Sequence, residues 1–322
     1  MMAPLMEHNT AFVFPGQGSQ FAGMGRDVAE KYPAARKVFD DIDASLGYSI
    51  SRLCFEGPED QLKLTENTQP AILAVSSALH AVLEEHGATR RDLVAGHSLG
   101  EYSALTAARA FSLPTAARLL RLRGEAMQRA TPPGTGAMAA LLGAEAEQAQ
   151  AICAEAAPDP ETGEREVVEV ANDNGGGQVV VSGAKAAVER AVEAAKAAGV
   201  KRAMLLPVSA PFHCALMAPA ADAMAEALEN AEIARPVVPV VANVSAAKAT
   251  DPAEIRELLV KQVTATVRCR ECVAAMVAMG CDRFAELGAG KVLTGLMKRN
   301  APDARATAVG TPAEVEAFLK TL

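Results

Sequence analysis

An α/β fold is what this sequence of 322 residues predicts: a core built on a parallel sheet, interrupted by a smaller β-α-β-β-α-β unit. Three observations lead there. Short apolar runs alternate with longer helical stretches through most of the chain. One run, DLVAGHS, passes through a G-x-S-x-G turn straight into a stretch of good helix formers, LGEYSALTAARA. Between residues 132 and 206 the order becomes strand, helix, strand, strand, helix, strand, the ferredoxin-like split arrangement.

TAFVFPGQG opens with an apolar run ending at Pro-Gly, a strand entering a loop. TQPAILAVSSALHAVLEEHG reads as a helix with proline near its start and glycine at its end. After the G-x-S-x-G helix, TAARLLRLRGEAMQR places Ala116, Leu119, Leu120 and Met127 on one stripe. TPPGTG is hinge-like. GAMAALLG, REVVEVANDN, QVVVSG and KRAMLLP then read as strands, with AEAEQAQAICAEA and AAVERAVEAAKAAG as the helices among them. This predicts a large core from residues 1–131 and 207–322 and an inserted subdomain over 132–206. TPAEVEAFLKTL closes the chain as a capped helix.

The composition narrows the function classes. A formal charge of −8 argues against nucleic acid, whose phosphates need a basic surface. No apolar run reaches about 18 residues, so no membrane span is expected. The first ten residues, MMAPLMEHNT, lack the basic-then-apolar pattern of a signal peptide, and a cytoplasmic location is expected. Cys269 and Cys272 form a lone C-x-x-C without a second pair or a histidine cluster, a poor metal site, and read as ordinary helical cysteines.

The chemistry centres on Ser98. Between a buried strand and a helix, its hydroxyl would stand clear of the sheet, near free N–H groups of the helix start. The alternative is a helix N-cap serine. Such a nucleophile needs a base. Of five histidines, His8 lies near the N-terminus, and His80 and His86 belong to a helix without a motif. His97 adjoins Ser98, and neighbours on a tight turn point apart. His213, in LPVSAPFHCALM, starts a loop after a strand-like run and is the best candidate. Arg123 falls inside an apolar stripe, where an unpaired charge is expensive. It needs either a core carboxylate or a substrate carboxylate gripped by its fork. PGQGSQFAGMG does not fit G-x-G-x-x-G and lacks a phosphate-loop lysine, so it reads as an oxyanion-hole loop rather than a nucleotide site.

FVFPGQGSQ, GHSLGEYSAL, ANDNGGGQVVVSG, LPVSAPFHCALMAPAA and ELGAGKVLTGLMKR together resemble malonyl-CoA:acyl carrier protein transacylases, over nearly the whole chain. Part of the likeness extends to acyltransferase domains of polyketide synthases. The resemblance implies an α/β-hydrolase-like core with an inserted ferredoxin-like subdomain. It implies Ser98 as nucleophile, His213 as base, and backbone N–H groups of Gln17 and Leu99 as the oxyanion hole. Arg123 would hold the malonyl carboxylate, with His97 also at the substrate. Gln262 would orient His213 through its main-chain carbonyl, in place of an acidic triad member. Phe212 would fill the space beside the acyl α-carbon and favour malonyl over methylmalonyl. One departure is Gly288-Ala289-Gly290, where the family usually has Gly-Pro-Gly. Malonyl-CoA and acyl carrier protein are the implied partners, with no cofactor or metal and a monomeric chain. Arg268, Arg270, Lys291, Lys298 and Arg299 could form a docking patch for the acidic carrier. A serine esterase or thioesterase would share Ser98 and His213 but give no reason for Arg123. A non-catalytic carrier-binding module would lack a reactive Ser98.

Overall fold

A computed structural model of the protein describes residues 9–321, so His8 and most of the MMAPLMEHNT stretch, read as lacking a signal-peptide pattern, lie outside the described residues. The chain opens with β1 (Asn9–Phe14), buried from Thr10 onward. Helices α1 (Arg26–Lys31), α2 (Pro33–Leu46), α3 (Ile50–Glu56), α4 (Glu59–Leu62) and α5 (Thr65–Glu85) follow. Next come β2 (Leu93–Gly96), α6 (Gly100–Ala107) and α7 (Leu113–Arg129). β1 and β2 pair in parallel, with Phe14 opposite Gly96, so both strands end at the same edge.

α5 starts earlier than its sequence suggested, and Pro70 sits inside it rather than near its start. Proline cannot donate to the carbonyl four residues back. That carbonyl, on Glu66, instead accepts from Arg121 Nη1 at 3.4 Å. A contact from α7 thus repairs the ladder.

The second sheet follows the expected order: β3 (Gly136–Leu142), α8 (Ala146–Ala156), β4 (Val168–Gly175), β5 (Gln178–Ala184), α9 (Lys185–Ala197) and β6 (Arg202–Leu205). Its four strands run β4-β5-β3-β6, each neighbour antiparallel, as a split β-α-β pair requires. One face buries Leu141, Val170, Val181, Val188 and Ile152 in an apolar cluster of its own.

After a 3-10 turn at Ala215–Met217 the chain returns through α10 (Ala218–Glu229), β7 (Val240–Val241), β8 (Lys248–Ala249), α11 (Pro252–Gln262) and α12 (Cys269–Ala278). It finishes with β9 (Cys281–Leu287), α13 (Val292–Asn300), β10 (Arg305–Val309) and α14 (Pro312–Leu319), whose Thr311 hydroxyl caps the Glu314 N–H. The large sheet runs β10-β9-β1-β2-β7-β8, parallel except for the short β8 at its edge. Cys269 and Cys272 are both buried on α12, and burial pushes the Cys269 thiol up to about 12. β4 of the small sheet is tied to the start of α12 and the segment before it, where Asp173 N donates to Val267 O, Thr266 Oγ1 to Val170 O, and Arg270 pairs with Asp173 at 2.7 Å. The end of β4 is thereby held over the edge where β1 and β2 stop.

Candidate active site

The turn after β2 is tight because two glycines let backbone approach backbone. A Cβ on Gly96 would lie 2.0 Å from the Gly100 carbonyl, and one on Gly100 would lie 2.3 Å from Phe14 O. Neither glycine has positive φ; that conformation falls on Ser98 itself, at φ 53°. A non-glycine residue in this region costs on the order of 1–3 kcal/mol and persists only where its surroundings enforce it. Here they do. Ser98 N donates to Asn243 Oδ1 at 2.8 Å, and Asn243 Nδ2 donates to Gly96 O at 2.6 Å. Asn243 therefore clips both sides of the elbow, and the Ser98 hydroxyl is left pointing into a cavity.

His213 comes to it from the other half of the chain. Its Nε2 lies 2.7 Å from Ser98 Oγ, and its Nδ1 lies 2.9 Å from the main-chain oxygen of Gln262. A carbonyl only accepts, so Nδ1 carries the proton and Nε2 offers its lone pair to the serine hydroxyl. Gln262 is the last residue of α11, where carbonyls lack intrahelical partners and the helix carries its partial negative charge. Burial, then the Arg123 charge, then His97 hold the imidazole down to about 3, so it is neutral. His213 shares with Ser98 a left-handed backbone, φ 59°.

Arg123 is 1 % exposed and lies on the buried stripe of α7, beside Leu120 and Met127. Its Nη1 donates to Gln69 Oε1 at 2.9 Å, and its Nη2 donates to Gln262 Oε1 at 2.9 Å and to Ser98 Oγ at 3.2 Å. The guanidinium lies over the Tyr102 ring, and Nε has no partner among the described residues. No salt bridge reaches it there, so its contacts are neutral amides and a hydroxyl. Burial lowers its proton affinity, with Tyr102 and Glu101 opposing.

The remaining expected residues gather around the same point. The Gln17 and Leu99 N–H groups donate to no protein acceptor among the described residues, as an oxyanion hole requires. His97 turns away from Ser98, its Nε2 2.9 Å from Asn174 Oδ1, yet still borders the cavity. Burial lowers its proton affinity despite that contact. Phe212 is buried and also faces the cavity. The space measures about 210 Å³ and runs between Ser98 and the exposed Val292 at the start of α13. Of the expected docking cations, Arg268 pairs with Glu271, Arg270 with Asp173 and Lys291 with Glu314, leaving Lys298 and Arg299 without a carboxylate among the described residues.

Four polar residues escaped the sequence reading. Gln69 holds Arg123, Asn243 holds the elbow, Asn174 holds His97, and the buried Glu101 accepts from Asn243 N at 3.0 Å and Gln262 Nε2 at 2.8 Å. Glu101, in GHSLGEYSAL, carried a usable signal: a carboxylate on an otherwise apolar helix raises the same question as Arg123.

The sequence matches the family described as Acyl transferase domain over residues 11–319. It is 46% identical over 312 residues to the malonyl CoA-acyl carrier protein transacylase of Bacillus subtilis, covering 97% of this chain and 96% of the relative. The crystal structure of acyl-carrier-protein-S-malonyltransferase from Bartonella henselae superposes with a TM-score of 0.93 at 51% identity, covering 97% of this chain and 99% of that one. A solved complex described as a type II PKS acyl-carrier protein with its malonyl-transacylase gives a TM-score of 0.94 at 44% identity, covering 98% and 100%. With a serine elbow, a neutral histidine and a buried arginine meeting at one atom, and relatives alike over almost their full length, the chain belongs to the malonyl CoA-acyl carrier protein transacylases and is an acyltransferase.

Proposed function

We propose that this enzyme transfers the malonyl group of malonyl-CoA to the phosphopantetheine thiol of acyl carrier protein through an ester on Ser98, supplying fatty acid synthesis. The observation that carries the residue roles is the meeting of His213 Nε2 and Arg123 Nη2 at Ser98 Oγ, 2.7 and 3.2 Å away. His213 takes the Oγ proton as Oγ bonds to the thioester carbon. The resulting oxyanion sits on the free N–H groups of Gln17 and Leu99, where aligned donors need no reorganisation. As the C–S bond breaks, the His213 proton leaves with the CoA thiol. The carrier thiol then loses its proton to His213, attacks the ester carbonyl, and Ser98 departs with that proton restored.

Arg123 holds the substrate carboxylate in this reading. Its neutral partners leave a buried positive charge that an arriving carboxylate neutralises, whereas an acetyl group leaves it unbalanced. Phe212 borders the space beside the acyl α-carbon, where a surplus methyl costs about 1–3 kcal/mol. His97 lines the site through its contact with Asn174. Residues 132–206 form an inserted subdomain whose β4 residues Asn172 and Asn174 close the cavity; their separate apolar cluster supports that division. A cytoplasmic monomer without metal or cofactor completes the proposal. Among the described residues no helix is long and apolar enough to cross a membrane, and no cluster of metal-ligating side chains occurs.

The test is partition of the malonyl group. Malonyl-CoA is consumed slowly alone and quickly when phosphopantetheinylated carrier is added, with malonyl-carrier as product. Equal consumption with and without carrier makes the protein a thioesterase.

A further inference from the structure

Gln262 makes five hydrogen-bond contacts at the centre of the site, and their directions are not interchangeable. Its main-chain oxygen holds His213 Nδ1. Its side-chain oxygen accepts from Arg123 Nη2 at 2.9 Å, and its side-chain nitrogen faces three acceptors, Glu101 Oε2 at 2.8 Å, Ser98 O at 3.1 Å and, at the longest reach, Asn243 Oδ1 at 3.4 Å. An amide can turn over and exchange its oxygen and nitrogen, and here only one orientation works. A guanidinium only donates, so it requires the oxygen; an ionised carboxylate only accepts, so it requires the nitrogen. Turned over, the amide would aim N–H groups at Arg123 in a buried site where unmet donors are costly.

We infer that Glu101 is a positioning residue that fixes the Gln262 amide and, through it, the guanidinium of Arg123 against the substrate carboxylate. This rests on the proposed roles of Ser98, His213 and Arg123. Glu101 is 2 % exposed and touches none of the reacting atoms. Both of its hydrogen-bond donors, Asn243 N and Gln262 Nε2, converge on one oxygen. The acceptor, at the right reach, is therefore what matters. Burial raises its carboxyl to about 7, and a protonated carboxyl still presents its carbonyl oxygen to the same two donors.

The test compares Glu101→Gln with Glu101→Asp. The first keeps an oxygen at full reach, since both neighbours are donors and hold it in place; the second keeps the charge and draws back by one methylene. Loading of Ser98 from malonyl-CoA and from acetyl-CoA is followed by intact-protein mass, with circular dichroism to establish folding. The malonyl-to-acetyl rate ratio is expected to stay within about threefold of wild type in Glu101→Gln. In Glu101→Asp it is expected to fall by about tenfold or more, the scale of one lost charge-assisted hydrogen bond. A purely structural glutamate would slow both donors alike and leave the ratio in place. A ratio unchanged in both variants, lowered equally in both, or lowered more in Glu101→Gln overturns the inference. Arg123→Ala separates the underlying reading: if it retains the malonyl preference, the arginine assignment fails whatever the Glu101 variants do.

Discussion

Ser98 Oγ stands between a neutral imidazole and a cation, and that pairing sets the pH behaviour. An imidazole lowered from 6.5 to about 3 remains unprotonated where an ordinary histidine would charge. The sign for stability follows: the unfolded chain binds a proton that the fold excludes, so stability declines as pH falls below 6.5 toward 3. The groups facing His213 are Ser98 Oγ, the Gln262 carbonyl, the Ala265 backbone, Arg123 and His97. Malonyl loading at low substrate should therefore stay flat as pH is lowered through 6.5. At saturating malonyl-CoA the acidic inflection should move upward, because the bound carboxylate offsets the Arg123 charge. Loading rates across pH, read by quenched intact-protein mass, check both. Half-maximal loading at the ordinary imidazole value with dilute substrate would contradict the assigned burial of His213.

At the scale of elements, what the sequence made legible was whatever depends on local period and turn chemistry. The elbow strand and helix, the β-α-β-β-α-β order and the buried position of Arg123 all follow from spacing over a few residues. Pro70 was misplaced because its compensation comes from Arg121 on another helix, which no local pattern records. A G-x-S-x-G spacing by itself suits glycines that allow either unusual angles or close approach. The structure requires only the close approach, and Ser98 and His213 carry the strained backbone. Asn243, Gln69 and Glu101 escaped for a related reason. A buried polar group is understood through its partner, and Ser98 and Asn243 are 145 residues apart, Arg123 and Gln69 54. Gln262 was found only through the family resemblance, and its main-chain oxygen lies 2.9 Å from His213 Nδ1.

The whole molecule carries a net charge of −8, yet its carrier partner is expected to be acidic, so attraction must be local. α13 offers such a place: Val292, Leu293 and Leu296 border the cavity at Ser98, while Lys298 and Arg299 lie in its last turn without carboxylate partners among the described residues. Charge reversal at Lys298 and Arg299 should raise KM for the carrier protein at low salt and leave KM for malonyl-CoA unchanged; an unmoved carrier KM removes both from the interface. The two-step transfer at Ser98 is the centre of the account, and one measurement reaches it directly. Wild type and Ser98→Ala are exposed briefly to malonyl-CoA and weighed intact, before and after phosphopantetheinylated carrier is added. Wild type should gain one malonyl group, mapped to Ser98, and lose it to the carrier, while Ser98→Ala gains none. Labelling of Ser98→Ala at the wild-type rate would contradict the account.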